Sequence, residues 1–214
     1  MIKLVDLAER GWIPDSLLRI GMRRLLIKRL QQDRSNATES GKLDFVNQMA
    51  GSPLAVATTD ANYQHYEVPT EVFQNMLGPH LKYSCAFYED GDNRLADAEL
   101  AMLKLTAERA QLRSAQRVLE LGCGWGSLTL YMAAEYPGSH ITAVSNSHSQ
   151  RLYIEAQAAQ RGLTNITVIT MDMNNFAPVE KFDRVVSIEM FEHMRNYKLL
   201  FNRISQWLSA DGLL

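Results

Sequence analysis

From residue 116 the sequence alternates between short apolar runs and longer amphipathic ones, and that pattern leaves few folds open. "QRVLEL", "HITAVS", "NITVITM" and "FDRVVSIE" read as strands, rich in Val, Ile and Leu. "GSLTLYMAAEY", "SHSQRLYIEAQAAQR" and "NYKLLFNRISQWL" read as helices. Pro137-Gly138 stops the first, and Gly162 closes the second at its C′ position. "DMNNFAPVEK" is the loop between the third and fourth strands. Strands alternating with helices predict one parallel sheet covered by helices. The expected class is α/β, a Rossmann-like doubly wound parallel sheet. The chain ends on "SADGLL", where Gly212 reads as the handover from the last helix and Leu213-Leu214 as the opening of another strand. The core is therefore expected to be truncated after its fourth strand. The strand at 182–189 would then be a poorly protected sheet edge.

Upstream, residues 1–32 read as N-terminal helices. "PDSLLRIGMRRLLIKRLQQ" starts at Pro14 and Asp15 and repeats Leu17, Leu18, Met22, Leu25, Leu26 and Leu30 at helical spacing. Its polar positions, Arg19, Arg23, Arg24, Lys28 and Arg29, are basic and suit peripheral contact with an anionic membrane surface. The plainer alternative is a solvated basic face on a half-buried helix. Residues 33–60 read as a linker, "DRSNATESGK", and a short helix at "FVNQMAG". Residues 61–115 form a helical cap contributing to a cofactor and acceptor site, and end in the helix "ADAELAMLKLTAERAQL". Residues 116–214 are the partial Rossmann-like core.

Composition narrows the partners. The net charge is −2, from 22 basic and 24 acidic residues, without the basic excess of a nucleic-acid binder. Cys85 and Cys123 are the only cysteines and suggest no disulfide framework, so a reduced, cytoplasmic protein is expected. "MIKLVDLAERGWIPDS" brings charges and a proline too early for a signal peptide, and no stretch is apolar for long enough to span a bilayer. His65, His80, His140 and His148 are scattered, and neither H-x-x-x-H nor C-x-x-C occurs, so no metal is expected. A homo-oligomer is compatible with all of this.

The first strand runs into "ELGCGWGSL", with Gly122, Gly124 and Gly126 ahead of a helix. In such a unit the ligand lies at the carboxyl ends of the strands, and glycine lets backbone approach it closely. A dinucleotide turn has G-x-G-x-x-G. Here the third glycine comes one place early and Ser127 stands sixth. The acidic residue expected on a ribose after the second strand is also missing, which opposes a dehydrogenase. That strand ends "AVSNSHSQ" and offers Ser145, Asn146 and Gln150 instead. Glu120 is a carboxylate inside a buried strand, costly unless paired, and suited to a cationic ligand group such as an ammonium. Trp125 either shields the site from water or packs the helix start.

"HYEVP", "YSCAFY", "LELGCGWGSL", "VSNSHSQ" and "FDRVVSIEMFEHM" together resemble the class I S-adenosylmethionine-dependent methyltransferases. Within these they are similar to the family of cyclopropane fatty-acid synthases, mycolic-acid methyltransferases and coclaurine N-methyltransferases. "SIEMFEHM" and "HLKYSC" look closest to the coclaurine N-methyltransferases and their bacterial relatives. The resemblance covers roughly residues 60–214 and implies S-adenosyl-L-methionine as cofactor. It implies that Tyr83 and Ser84 contact the methionine part, with Gly122 and Gly124 against it and Glu120 nearby. It implies that Ser145, Asn146 and Gln150 hold the ribose and adenosine. Asp172 and Met173 would bracket the adenine, although the synthases often carry tryptophan where this chain has Met173. Cys85 would line the reaction centre through its backbone.

Glu189, Glu192 and His193 of "SIEMFEHM" are the candidate catalytic groups. If the turn is helical, Glu189 and His193 share a face at i,i+4. An amine acceptor must lose a proton before it attacks, so carboxylates and a histidine suit it. An alkene acceptor instead passes through a carbocation that carboxylates can stabilise. The first expectation is a small-molecule amine N-methyltransferase. The second is cyclopropane-fatty-acyl-phospholipid synthesis on unsaturated lipid chains. The third is a fragment that binds the cofactor without turnover. His65 is a further candidate for the acceptor pocket.

Overall fold

The computed structural model describes residues 4–58, 69–89, 91 and 94–214, so His65 lies outside the described residues. The chain divides into two compact units, Met1–Met49 and Ala50–Leu214. In the first unit, α1 spans Leu4–Glu9, α2 spans Asp15–Asn36 and α3 spans Glu39–Ala50. Pro14 precedes α2 in an extended conformation, its ring suited to a helix start. The expected linker at 33–42 is instead mostly helix. Arg29 and Asp33 pair at 3.0 Å one turn apart and carry α2 through the polar stretch. Thr38 Oγ1 accepts from the Gly41 N–H at 3.1 Å and starts α3. Small polar residues mark a loop only when no such local bonds extend the helix.

Among the described residues of the second unit, α4 (Thr70–Met76) and α5 (Leu95–Arg109) precede the sheet. The core then runs β1 (Arg117–Leu121), α6 (Ser127–Glu135), β2 (His140–Ser145), α7 (His148–Arg161), β3 (Ile166–Thr170) and β4 (Phe182–Val186). A short 3₁₀ turn at Phe191–His193, α8 (Tyr197–Trp207) and β5 (Leu208–Leu213) complete it. The strands pair in parallel in the order β3-β2-β1-β4-β5. The order reverses direction between β1 and β4, and this switch opens a crevice at their carboxyl ends.

The expected truncation after the fourth strand is corrected by β5, which pairs Phe182 with Leu208 and Arg184 with Leu213 across an irregularity. Its residues "LSADGL" carry no apolar alternation, so edge pairing rather than burial makes them a strand. Gly212 lies inside it and is no handover. A Cβ there would stand 2.9 Å from Leu208 Cδ2 and 3.0 Å from the Phe182 carbonyl oxygen.

The period of two in each strand divides the core between the two faces of the sheet. Leu119, Leu121 and Val185 pack with Phe176, Leu200, Ile204 and Trp207. Val118 and Val186 pack with Leu103, Leu128 and Met132. Each such fully buried side chain contributes about 1.5–3 kcal/mol.

Asn196 fastens the start of this unit to the sheet. Its amide nitrogen donates to the Ala50 and Ser52 carbonyls, each at 2.9 Å. Its amide oxygen accepts from the Leu199 N–H at 2.9 Å and caps α8. Asn196 is buried, so Asn196→Ala strands two carbonyls and a helix N–H. We expect a loss of about 2–4 kcal/mol in denaturant unfolding. Asn196→Asp keeps the cap but not the donors, and should recover only part of it.

Candidate active site at the carboxyl edge of the sheet

A cavity of ≈ 380 Å³ opens where β1, β2 and β4 end. That is large enough for a small-molecule ligand, whose pockets run from about 300 to 1,000 Å³. Gly122, Gly124 and Gly126 all adopt left-handed backbone, with φ of 80°, 51° and 78°. Their reasons differ. A Cβ on Gly122 would meet Met190 Cγ at 2.6 Å, and one on Gly126 would meet Ile154 Cγ1 at 2.5 Å. At Gly124 a Cβ meets nothing within 4 Å. Gly122 and Gly126 are thus required by packing, while Gly124 borders open space that a ligand can occupy.

Trp125 both packs and lines the cavity. It is buried among Phe73 and Tyr153, with ring centroids 5.0 and 5.6 Å away. Its Nε1, Ser127 Oγ and Gln150 Nε2 are buried and have no partner among the described residues. All three residues line the cavity. Native interiors rarely leave buried donors unpaired, so these atoms fit a polar ligand.

Glu120 is only 3% exposed and accepts a hydrogen bond from the Thr129 hydroxyl. Burial pushes its carboxyl up to about 7, against the opposing pull of Thr129 and the Lys82 ammonium. After β2, Ser145 Oγ donates to Gln150 Oε1 at 2.6 Å, and Ser147 Oγ caps α7 by accepting from the Gln150 N–H. Asn146 Nδ2 reaches the Thr58 carbonyl at 3.5 Å. After β3, Asp172 accepts from Thr58 Oγ1 at 2.6 Å and from the Asn174 N–H at 2.8 Å. Met173 is buried in the core and borders the cavity beside Asp172.

The loop before α5 brings Tyr83 and Ser84 to the same cavity. Glu99 holds that loop. Its carboxylate accepts from the backbone N–H groups of Gly78, His80 and Lys82 at 3.1, 3.0 and 3.3 Å. Gly78 leaves no room for a Cβ, which would stand 2.4 Å from Glu99 Oε2.

Beyond β4, Glu189 has φ of 50°. The condition for Glu189 and His193 to share a helical face at i,i+4 is therefore not met: Glu189 sits in a left-handed bend and the 3₁₀ turn spans only Phe191–His193. A left-handed non-glycine residue costs about 1–2 kcal/mol, and here the bend lets Glu189 Oε1 accept from the Cys85 N–H at 3.3 Å. Glu189, Glu192 and His193 all line the cavity. Cys85 meets this corner through its backbone.

All the residues expected to hold cofactor or catalyse thus converge on one cavity. Sequence reasoning missed Thr58, Lys82, Glu99 and Asn174. The only signal for Glu99 was a carboxylate among the apolar positions of its helix.

A parallel sheet with this strand order, a glycine loop after β1 and acidic groups after β4 is the class I methyltransferase fold. The chain belongs to the family described as mycolic acid cyclopropane synthetase, whose profile matches residues 56–214. It is 37% identical over 217 residues to (S)-coclaurine N-methyltransferase of Thalictrum flavum subsp. glaucum, covering 100% of this chain and 60% of that protein. It is 37% identical over 152 residues to cyclopropane-fatty-acyl-phospholipid synthase of Escherichia coli (strain K12), covering 70% of this chain and 38% of that one. The crystal structure of coclaurine N-methyltransferase bound to N-methylheliamine and SAH superposes with a TM-score of 0.80 at 38% identity, covering 98% of this chain and 62% of that one. The chain spans about 60% of the length of the coclaurine N-methyltransferases it matches.

Proposed function

We propose that the protein transfers a methyl group from S-adenosyl-L-methionine to the nitrogen of a small-molecule amine. The observation that carries this reading is the clustering of Glu189, Glu192 and His193 on the cavity that the glycine loop also lines. The bound cofactor would supply a sulfonium-activated methyl. The chain's residues bind, orient and move protons. Glu120 stands where an ammonium would find a carboxylate, and Gln150 Nε2 and Ser127 Oγ are free to donate to polar groups of the ligand. Among the described lining residues, Glu120, Asp172, Glu189 and Glu192 outnumber Lys82, so the cavity attracts a protonated amine. His193 or Glu192 takes the proton that the amine must lose, freeing the lone pair to attack in line.

The relatives matching nearly all of this chain are named as N-methyltransferases, which supports an amine over a lipid. Unsaturated phospholipid is the second reading, favoured by the similarity to a cyclopropane-fatty-acyl-phospholipid synthase and by the basic residues Arg19, Arg23, Arg24, Lys28 and Arg29 of α2. That helix would then make peripheral membrane contact. A cytoplasmic location is part of the proposal, supported by the two unpaired thiols. Purified protein with methyl-labelled cofactor, offered tetrahydroisoquinoline amines and unsaturated phospholipid vesicles in parallel, decides. Label is expected in the amine. Label only in lipid overturns the amine reading, and label in neither leaves cofactor binding without turnover.

A further inference from the structure

Among the described lining residues, Lys82 is the one lysine or arginine that reaches the cavity. It is 7% exposed, and lysine is seldom buried without a charged partner. Its Nζ donates to Ser84 Oγ, a neutral acceptor. None of the ion pairs among the described residues includes it. Burial lowers its pKa from the ordinary lysine value, while the fields of Cys85, Glu189, Glu99 and Glu120 act in the opposite sense. Its backbone N–H is fastened by Glu99, so the residue is held in place at the cavity wall. An ammonium has three donors. One is given to Ser84, and the remaining two have no hydrogen-bond or ion-pair partner among the described residues.

We propose that Lys82, with Ser84, is the receptor for the carboxylate of the cofactor's amino-acid end, and that it makes the site select an intact amino acid over a decarboxylated analogue. This deepens the cofactor reading above and rests on it. The cofactor's amino-acid end carries one ammonium and one carboxylate. Glu120 offers the complement to the first, and Lys82 to the second. A cavity with four carboxylates would otherwise repel the ligand's own carboxylate, so one buried cation has a disproportionate effect. The hydroxyl of Ser84 orients Nζ and can itself donate to the same group.

Calorimetric titration with S-adenosylhomocysteine and its decarboxylated counterpart tests the assignment. Both ligands keep the ammonium and lack the sulfonium, so they differ only in the carboxylate. Wild type is expected to prefer S-adenosylhomocysteine by at least about tenfold. Lys82→Met should weaken that ligand about 10- to 100-fold, the size of one charge-assisted hydrogen bond, and leave the decarboxylated one within about twofold. Lys82→Arg should keep most of the preference. Equal weakening of both ligands by Lys82→Met would mean that Lys82 only supports its loop, and overturns the proposal. Equal affinity of wild type for the two ligands overturns it without any variant. Wild type that binds neither overturns the cofactor reading and the assignment with it.

Discussion

His193→Asn lowers kcat for amine methylation by about 10²–10⁴-fold, the usual contribution of a positioned base, while the Kd for S-adenosylhomocysteine stays within about twofold. Glu192→Gln acts in the same direction. Both residues lie on the 3₁₀ turn Phe191–His193, which is closed by the Met194 N–H on the Phe191 carbonyl at 2.9 Å and the His193 N–H on the Met190 carbonyl at 3.0 Å. The turn backs onto buried Met190 and Met194, so its polar side chains are exposed on the cavity side of a fixed backbone. On the proposed reading, proton removal from the amine is the step they assist. The defect should therefore shrink as pH rises and solvent deprotonates more of the free amine. The check is kcat as a function of pH for wild type and both variants. An unchanged kcat, or a loss confined to cofactor affinity, would sink the assignment.

Glu120→Gln should be more stable than wild type at pH 8 by about 1–3 kcal/mol, with the difference much smaller at pH 5 and gone below about pH 4. The sign follows from the shift. The folded carboxyl is pushed up to about 7 from 4.5, chiefly by burial. Between those values the folded protein keeps a proton that the unfolded chain has released. Stability therefore falls as pH rises through this window and is fully present only below it. A neutral amide avoids that cost and can still accept from Thr129. Urea titrations at pH 5 and 8 measure the difference, and one that does not change with pH would refute it. The same burial predicts the binding behaviour. A ligand ammonium against Glu120 favours its ionised form, so ligand binding between pH 6 and 7 releases a proton and tightens as pH rises. The proton appears as a buffer-dependent binding enthalpy in wild type that Glu120→Gln lacks. The group that weakens the empty fold is the one that would hold the ligand's charge.

How much of this was readable in advance depended on distance along the chain. The helix at "SHSQRLYIEAQAAQR" could be read from its spacing and from Gly162, which stands directly after its last residue. The glycine loop was readable because a strand and a helix flank it directly. The linker at 33–42 was misread because its polar residues hide local helix bonds. The fifth strand was misplaced because an edge strand takes its identity from β4, 26 residues earlier in the Phe182–Leu208 pair, and needs no apolar period of its own.

The amino-acid sequence by itself determined the alternation of strand and helix, the place of the turn between β1 and α6, and the chemical types gathered in "SIEMFEHM". All three follow from periodicity, cap residues and glycine, which act over a few residues. Only the tertiary structure decided what those types meet. Glu99 reaches back to Gly78 and Lys82, Asn174 to Ala55, Asn196 to Ala50, and Glu189 to Cys85. It also decided that Lys82 and Glu120 share a cavity. Such bonds depend on how the loops cross the carboxyl edge of the sheet, and no local rule of spacing encodes a partner that packing brings together from 17 to 146 residues away.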